Sequence, residues 1–141
     1  VKPYARAYRQ RASHRAAIAR RFDIPQTVPW LLAVGMMRPG DKLASFRSLA
    51  KSLAGLRRRP WRLLVVGDGP ARREVRSAFA GLRGRVHWLG VRSARELAAL
   101  YAACDLMVWP AINEAIGMAL LEAQAAGLPV VAGDVGAIGT I

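Results

Sequence analysis

The sequence predicts an α/β domain, a parallel sheet with helices on both faces. Three observations predict it. Five short runs are predominantly apolar, as strands covered on both faces of a sheet must be. Apolar residues recur at helical spacing between those runs, and Gly or Pro closes each pair of strand and helix. Ligands of such sheets bind beyond the carboxyl ends of the strands, so the loops that follow the strands are where chemistry is expected.

Each element has its own signal. Residues 1–22 carry seven basic side chains and no acidic one. Tyr4, Tyr8, Ala12 and Ile18 are loosely spaced for a helix that Pro25 and Pro29 end, so residues 1–27 read as a basic arm or linker helix. Residues 30–34 form the first strand. The basic loop 35–42 leads to a helix in which Leu43, Phe46, Leu49, Ala50 and Leu53 make one apolar stripe. Residues 63–66 form the second strand, followed by the turn Gly67-Asp68-Gly69 and by Pro70 at a first helical position, where its missing N–H costs nothing. Val75, Ala78, Phe79 and Leu82 supply the stripe of that helix. The third strand, 86–89, precedes Gly90 and a capping box of Ser93 and Glu96, which starts a helix burying Leu97, Leu100 and Tyr101. The fourth strand, 105–109, ends at Pro110. A loop over 111–115 enters a helix that Gly127 stops near Ala126, and residues 128–132 form the fifth strand.

Composition narrows the function classes. With 141 residues, 53% of them hydrophobic, the chain has one domain's worth of core and is no disordered tail. Its net charge is +13 with a pI near 11.6, and 19 of its 22 basic residues are Arg, so its surface attracts anions. The single Cys104 permits neither a disulfide framework nor a cysteine zinc site, which suits a reducing compartment. No secretory signal is visible. The most apolar window, 115–133, is interrupted by Glu122, Gln124 and Pro129, so no membrane-spanning helix is expected. The charge leaves a nucleic-acid binder as the rival class, although no zinc knuckle, helix-turn-helix pair or aromatic RNA motif accompanies it. A third reading sets the arginine-rich arm against anionic lipid.

The densest chemistry lies after the fourth strand. Glu114 and Glu122 stand eight positions apart, a rise of roughly 12 Å along a helix, which is poor spacing for the acid and base of a glycoside hydrolase. They are better placed to grip two ends of one extended ligand. Between them the backbone N–H groups around Ala115 to Met118 belong to a helix N-terminus, with Gly117 allowing close approach, and this suits phosphate. A nucleoside diphosphate sugar fits such spacing.

The run from Glu114 to Glu122, continued through Gly127-Leu128-Pro129-Val130-Val131-Ala132, resembles the E-x7-E signature of glycosyltransferase family 4. Val65-Val66-Gly67-Asp68-Gly69-Pro70, Val86-His87-Trp88-Leu89-Gly90 and Leu97 through Asp105 follow in the order that family shows. The likeness covers about residues 28–138. It implies the C-terminal, donor-binding, Rossmann-like half of a two-domain GT-B enzyme, with 28–141 as that domain, truncated at its C-terminus, and 1–27 as the connection from a missing first domain. The implied activity is transfer of a hexose from a nucleoside diphosphate sugar to an acceptor, with retention, in polysaccharide or glycolipid synthesis. It needs no cofactor and no metal, because cations take the metal's place.

The resemblance also implies roles. Glu122 holds the ribose hydroxyls and Glu114 lies near the donor sugar. Ala115, Ile116 and Gly117 present backbone to sugar and phosphate, Gly90 and Val91 meet the nucleobase, and Lys42 pairs with the diphosphate. Gly35, Met36 and Leu121 complete the donor-binding set. The chain departs from the family where Gly35 is followed by Met36-Met37-Arg38, since the family places Arg directly after that glycine; Arg38 is expected to substitute from a shifted position. The acceptor sugar or glycolipid is read by the missing domain, so this chain alone should bind nucleotide weakly and catalyse nothing. The implied setting is cytoplasmic, with peripheral contact to the membrane through the basic arm and no nucleic acid. Gly67-Asp68-Gly69-Pro70 reads as a tight turn and not a ligand loop, and Gly133, Gly136 and Gly139 as turns. His14 and His87 lack partners at metal-ligand spacing. Cys104 reads as core, and Trp30, Trp61, Trp88 and Trp109 as packing, with Trp109 nearest the expected cleft.

Overall fold

The computed structural model describes residues 10–110, 112 and 118–132. Five strands, β1 (Trp30–Val34), β2 (Arg62–Val66), β3 (Val86–Gly90), β4 (Leu106–Trp109) and β5 (Val130–Ala132), form one sheet in the order β3-β2-β1-β4-β5. Every pair is parallel, which confirms the parallel α/β sheet that the apolar runs predict and the Rossmann-like fold that the resemblance implies. The helices are α1 (Arg11–Phe22), α2 (Asp41–Ala54), α3 (Arg72–Ala78), α4 (Ala94–Ala103) and α5 (Met118–Ala125), and a 3-10 turn spans Ala80–Leu82. Right-handed crossovers place α2 and α3 on one face and α4 and α5 on the other. α2 packs against α3, and α1 against α4.

The core follows from the strands. Leu32, Leu63, Leu64, Val65, Met107 and Val108 are fully buried, and the α2 stripe of Phe46, Leu49 and Leu53 covers them on one side. The expected capping box is present: Glu96 N–H donates to Ser93 Oγ at 3.2 Å, and Ser93 N–H to Glu96 Oε1 at 3.2 Å. The Ser93 backbone N–H, then the Ser93 hydroxyl and the nearby Arg21 and Arg92, hold the Glu96 carboxyl below the usual carboxylate range. Gly127, at φ +80, ends α5, and Leu128 N–H reaches back to the Ala123 carbonyl at 2.9 Å.

Several boundaries differ from expectation: β5 starts at Val130 and not at residue 128, and β4 at Leu106 and not at 105. Pro70 lies in the turn before α3, which starts two residues later at Arg72. The stripe Val75, Phe79, Leu82 is buried as predicted, but α3 stops at Ala78 and the chain tightens into the 3-10 turn, because spacings of three and four serve either geometry. The expected start of α5 near residue 115 lies outside the described residues.

The described part of the basic segment is tied to the sheet. The Arg15 guanidinium donates to the carbonyls of Ala103, Gln26 and Val28 at 2.8–2.9 Å and to Asp105 Oδ2 at 3.1 Å, and lies 4.0 Å from the centre of the Trp30 ring. Arg11 donates to Asp105 Oδ1 at 2.7 Å, while Asp105 Oδ2 also accepts Trp30 N–H at 2.8 Å. One carboxylate therefore joins α1 to the starts of β1 and β4.

On β3, His87 is half-buried, with Nε2 3.1 Å from an Arg62 guanidinium nitrogen. Burial first, and then the Arg62 charge, push its pKa below the ordinary value of 6.5, against a smaller opposing pull from Asp23. The unfolded chain therefore takes up this proton at higher pH than the folded one. Stability from this group is complete above pH 6.5 and is lost as pH falls through the depressed folded value. Urea denaturation from pH 7.5 to 5 is expected to show a falling midpoint, and His87→Gln to flatten that slope.

Candidate functional site

The strand order locates the crevice. Connections leave β1 toward β2 and β4 toward β5, so the chain diverges between the carboxyl ends of β1 and β4. Gly35 follows β1 there and Trp109 ends β4. A Cβ on Gly35 would sit 2.8 Å from the Trp109 ring, so only glycine lets the β1 loop lie on that indole. Trp109 is buried and packs edge-on to Phe46, with ring centroids 4.7 Å apart. It floors the crevice and does not form a stacking platform. Half-buried Lys42, in the first turn of α2, holds Nζ 5.8 Å from the centre of the same ring. The structure thus brings Gly35, Lys42 and Trp109 together.

The rim is laced backbone to backbone. Gly35 N–H donates to the Val66 carbonyl at 3.0 Å, Met37 N–H to Asp68 at 3.0 Å, Ala71 N–H to Met37 at 2.8 Å and Gly67 N–H to Gly90 at 2.9 Å. These bonds set the Gly67-Asp68-Gly69 turn as a brace for the β1 loop, in keeping with its reading as a turn. Gly90 bends at φ +69 and delivers Val91 to the surface, 71% exposed. Met36 is 54% exposed and Leu121 46%. With Met118, these are the large apolar side chains that the described residues expose, and all four follow the carboxyl ends of strands. They stand on three separate segments, and apolar side chains exposed singly are ordinary on a protein surface. Arg38 is exposed in the β1 loop, its carbonyl accepting Leu43 N–H at 3.1 Å.

Glu122, half-buried on α5, accepts the Tyr101 hydroxyl proton at Oε2, 3.1 Å away. Glu114, Ala115, Ile116 and Gly117 lie outside the described residues. Sequence reasoning placed Tyr101 inside but missed its bond to Glu122, whose only signal is a hydroxyl on the buried face of an apolar helix. It also missed Ser45, fully buried within the α2 stripe, whose Oγ accepts Ile112 N–H at 3.1 Å and pins the loop after β4. Among the described residues no group of three His, Cys, Asp or Glu side chains could hold a metal ion.

The family model described as glycosyl transferases group 1 matches residues 28–141. This chain belongs to that family. The group 1 glycosyltransferase chain is 34% identical over 92% of its length to D-inositol 3-phosphate glycosyltransferase of Salinispora tropica, covering 29% of that protein. It is 36% identical over 78% of its length to a sulfoquinovosyl transferase of Arabidopsis thaliana, covering 20% of it. Among solved structures, sucrose-phosphate synthase of Thermosynechococcus elongatus matches 89% of the chain with TM-score 0.71 and 28% identity, over 32% of that structure. The chain thus spans less than a third of the length of these relatives. No helix among the described residues is long and apolar enough to cross a membrane.

Proposed function

We propose that this chain is the donor-binding half of a glycosyltransferase of the family 4 type, taking a hexose from a nucleoside diphosphate sugar. The observation that carries the reading is the convergence of the Gly35 loop, Lys42 and Trp109 at the divergence of β1 and β4. Lys42, with Arg38 on the loop beside it, offsets the charge that gathers on the diphosphate as the glycosidic bond breaks, in the position a divalent cation fills elsewhere. Glu122 holds the ribose, and Val91 with the Gly90 bend offers backbone and apolar surface to the base. Glu114 and the backbone of Ala115 to Gly117 serve the sugar, with retention of its configuration. The acceptor, a sugar or glycolipid in polysaccharide or lipid glycosylation, is bound by another part of a longer protein, and the isolated chain binds nucleotide without turnover. Cys104 is a buried free thiol, its pKa pushed up by burial, and the proposed setting is the cytoplasm.

The test is saturation-transfer NMR of the chain against UDP, GDP and ADP and their hexose conjugates, with Glu122→Ala and Lys42→Ala variants. Binding selective for one base, and lost in Glu122→Ala, is the expected result. A folded chain that binds none of the three overturns the reading. Tyr101→Phe removes the donor that holds the Glu122 carboxylate, and nucleotide affinity is expected to fall about tenfold, the worth of one hydrogen bond to a charged group. Titration calorimetry at matched thermal stability separates that effect from a loss of packing.

A further inference from the structure

Away from the strand tips, a groove of about 590 Å³ runs between α2 and α3 and is bounded by the 3-10 turn. Arg47, Lys51 and Arg57 line it from the α2 side and Arg73 from α3. Its inner wall is largely alanine, at Ala50, Ala54 and Ala78, so short side chains keep it open. None of the four cations forms an ion pair among the described residues, whereas Arg11, Arg15, Arg21, Arg72 and Arg92 all do. Glu74 is the single carboxylate lining the groove. The stretch 43–85 holds eleven basic residues against Asp68 and Glu74, a surplus of nine out of the chain's thirteen.

We infer that this groove is a second anion site, for a compact ligand carrying two or more phosphate groups. Folding gathers like charges around a concavity whose low-dielectric walls focus their field. Guanidinium groups on opposing walls can take several phosphate oxygens at once. Size favours a compact ligand. A concavity of about 590 Å³ has the volume of a small-ligand pocket, while a bilayer or a duplex meets only its rim. The exposed large apolar side chains Met36, Val91, Met118 and Leu121 follow the strand ends, away from the groove lining, which leaves the groove no anchor for lipid tails. The site shares no residue with the proposed donor site, and either can fail without the other.

The test uses inorganic tripolyphosphate as the probe, titrated calorimetrically into the chain, into Arg47→Gln/Arg73→Gln and into Lys42→Ala, with UDP titrated in parallel. With the donor site filled by excess UDP, tripolyphosphate is expected to bind the unmodified chain, to weaken about tenfold per groove cation removed, and to be unaffected by Lys42→Ala. Arg47→Gln/Arg73→Gln should leave UDP binding unchanged and keep or raise the thermal midpoint without ligand, because like charges have been thinned. Failure of tripolyphosphate to bind, or binding that survives Arg47→Gln/Arg73→Gln, overturns the site. Loss in Lys42→Ala alone moves the anion to the strand tips and overturns it equally. Phosphatidylglycerol vesicles or a DNA duplex captured through Arg47 and Arg73, with tripolyphosphate ignored, replace the compact ligand with a surface and overturn it as well.

Discussion

Gly67→Ala is expected to lower folding stability by roughly 3–5 kcal/mol, combining a forbidden backbone conformation with an overpacked contact. Gly67 sits at φ +136, and a Cβ there would collide with the Gly35 carbonyl oxygen and lie 2.9 Å from the carbonyl carbon. Both are backbone, held by the Gly35 bond to Val66, so neither can step aside. Relief requires pushing the β1 loop away from the β2 turn, which displaces Gly35 from Trp109 and Lys42 with it. Stability and nucleotide binding should therefore fall together. Gly40→Ala is the control: φ +85 with ψ −133 is backbone that glycine alone adopts readily, but nothing lies within 4 Å, so about 1–3 kcal/mol is expected there from backbone strain without any collision. Urea denaturation of both variants, read as a shift in midpoint, checks the contrast. Equal costs would show that the close approach of the two loops carries no weight.

Trp30→Ala is expected to cost a similar roughly 3–5 kcal/mol, through a different cause. Trp30 is fully buried at the start of β1, its indole N–H donating to the Pro25 carbonyl at 2.9 Å beneath the Arg15 guanidinium. Truncation opens a cavity under α1 and takes away the ring on which Arg15 rests. Trp30→Phe keeps most of the apolar volume and loses the hydrogen bond and part of the cation contact, so about 1–2 kcal/mol is expected. A domain of this size has about 5–15 kcal/mol in total, so Trp30→Ala spends a large part of it. Calorimetric melting of the two variants provides the measurement, and α1 amides should exchange hydrogen faster in Trp30→Ala than in Trp30→Phe.

What the sequence discloses depends on whether the signal is local. The central strands β1, β2 and β4 were legible because both of their faces are buried, which leaves unbroken runs such as Leu63 to Val66 between breakers, whereas the outer strands β3 and β5 are only half-buried and were marked by their Gly and Pro neighbours. Ser93 with Glu96, and Gly127, were legible because a helix cap is settled within four residues. The docking of α1 was not. Its arginines read as a solvated arm, yet Arg15 finds carbonyls 11, 13 and 88 positions away, and no spacing in the chain announces such partners. The same divide runs through the site. The glycine after β1 and the lysine that opens α2 are local to a strand end and were legible. The hydroxyl that steadies Glu122 comes from 21 positions upstream on another helix, and Ser45 looked only like a polar break in an apolar stripe.

The place of β3 at the end of the sheet order has a consequence for the chain in bulk. A strand bonded on one side presents its other side as a template for a neighbour's strand. Here that template is five residues long, its strand register with β2 shifts near the end, and arginines at 83, 85 and 92 flank it. Two copies brought edge to edge would set like charges against one another over a short ladder. Those arginines act as gatekeepers against cross-chain strand pairing, and at low ionic strength they should keep concentrated protein dispersed.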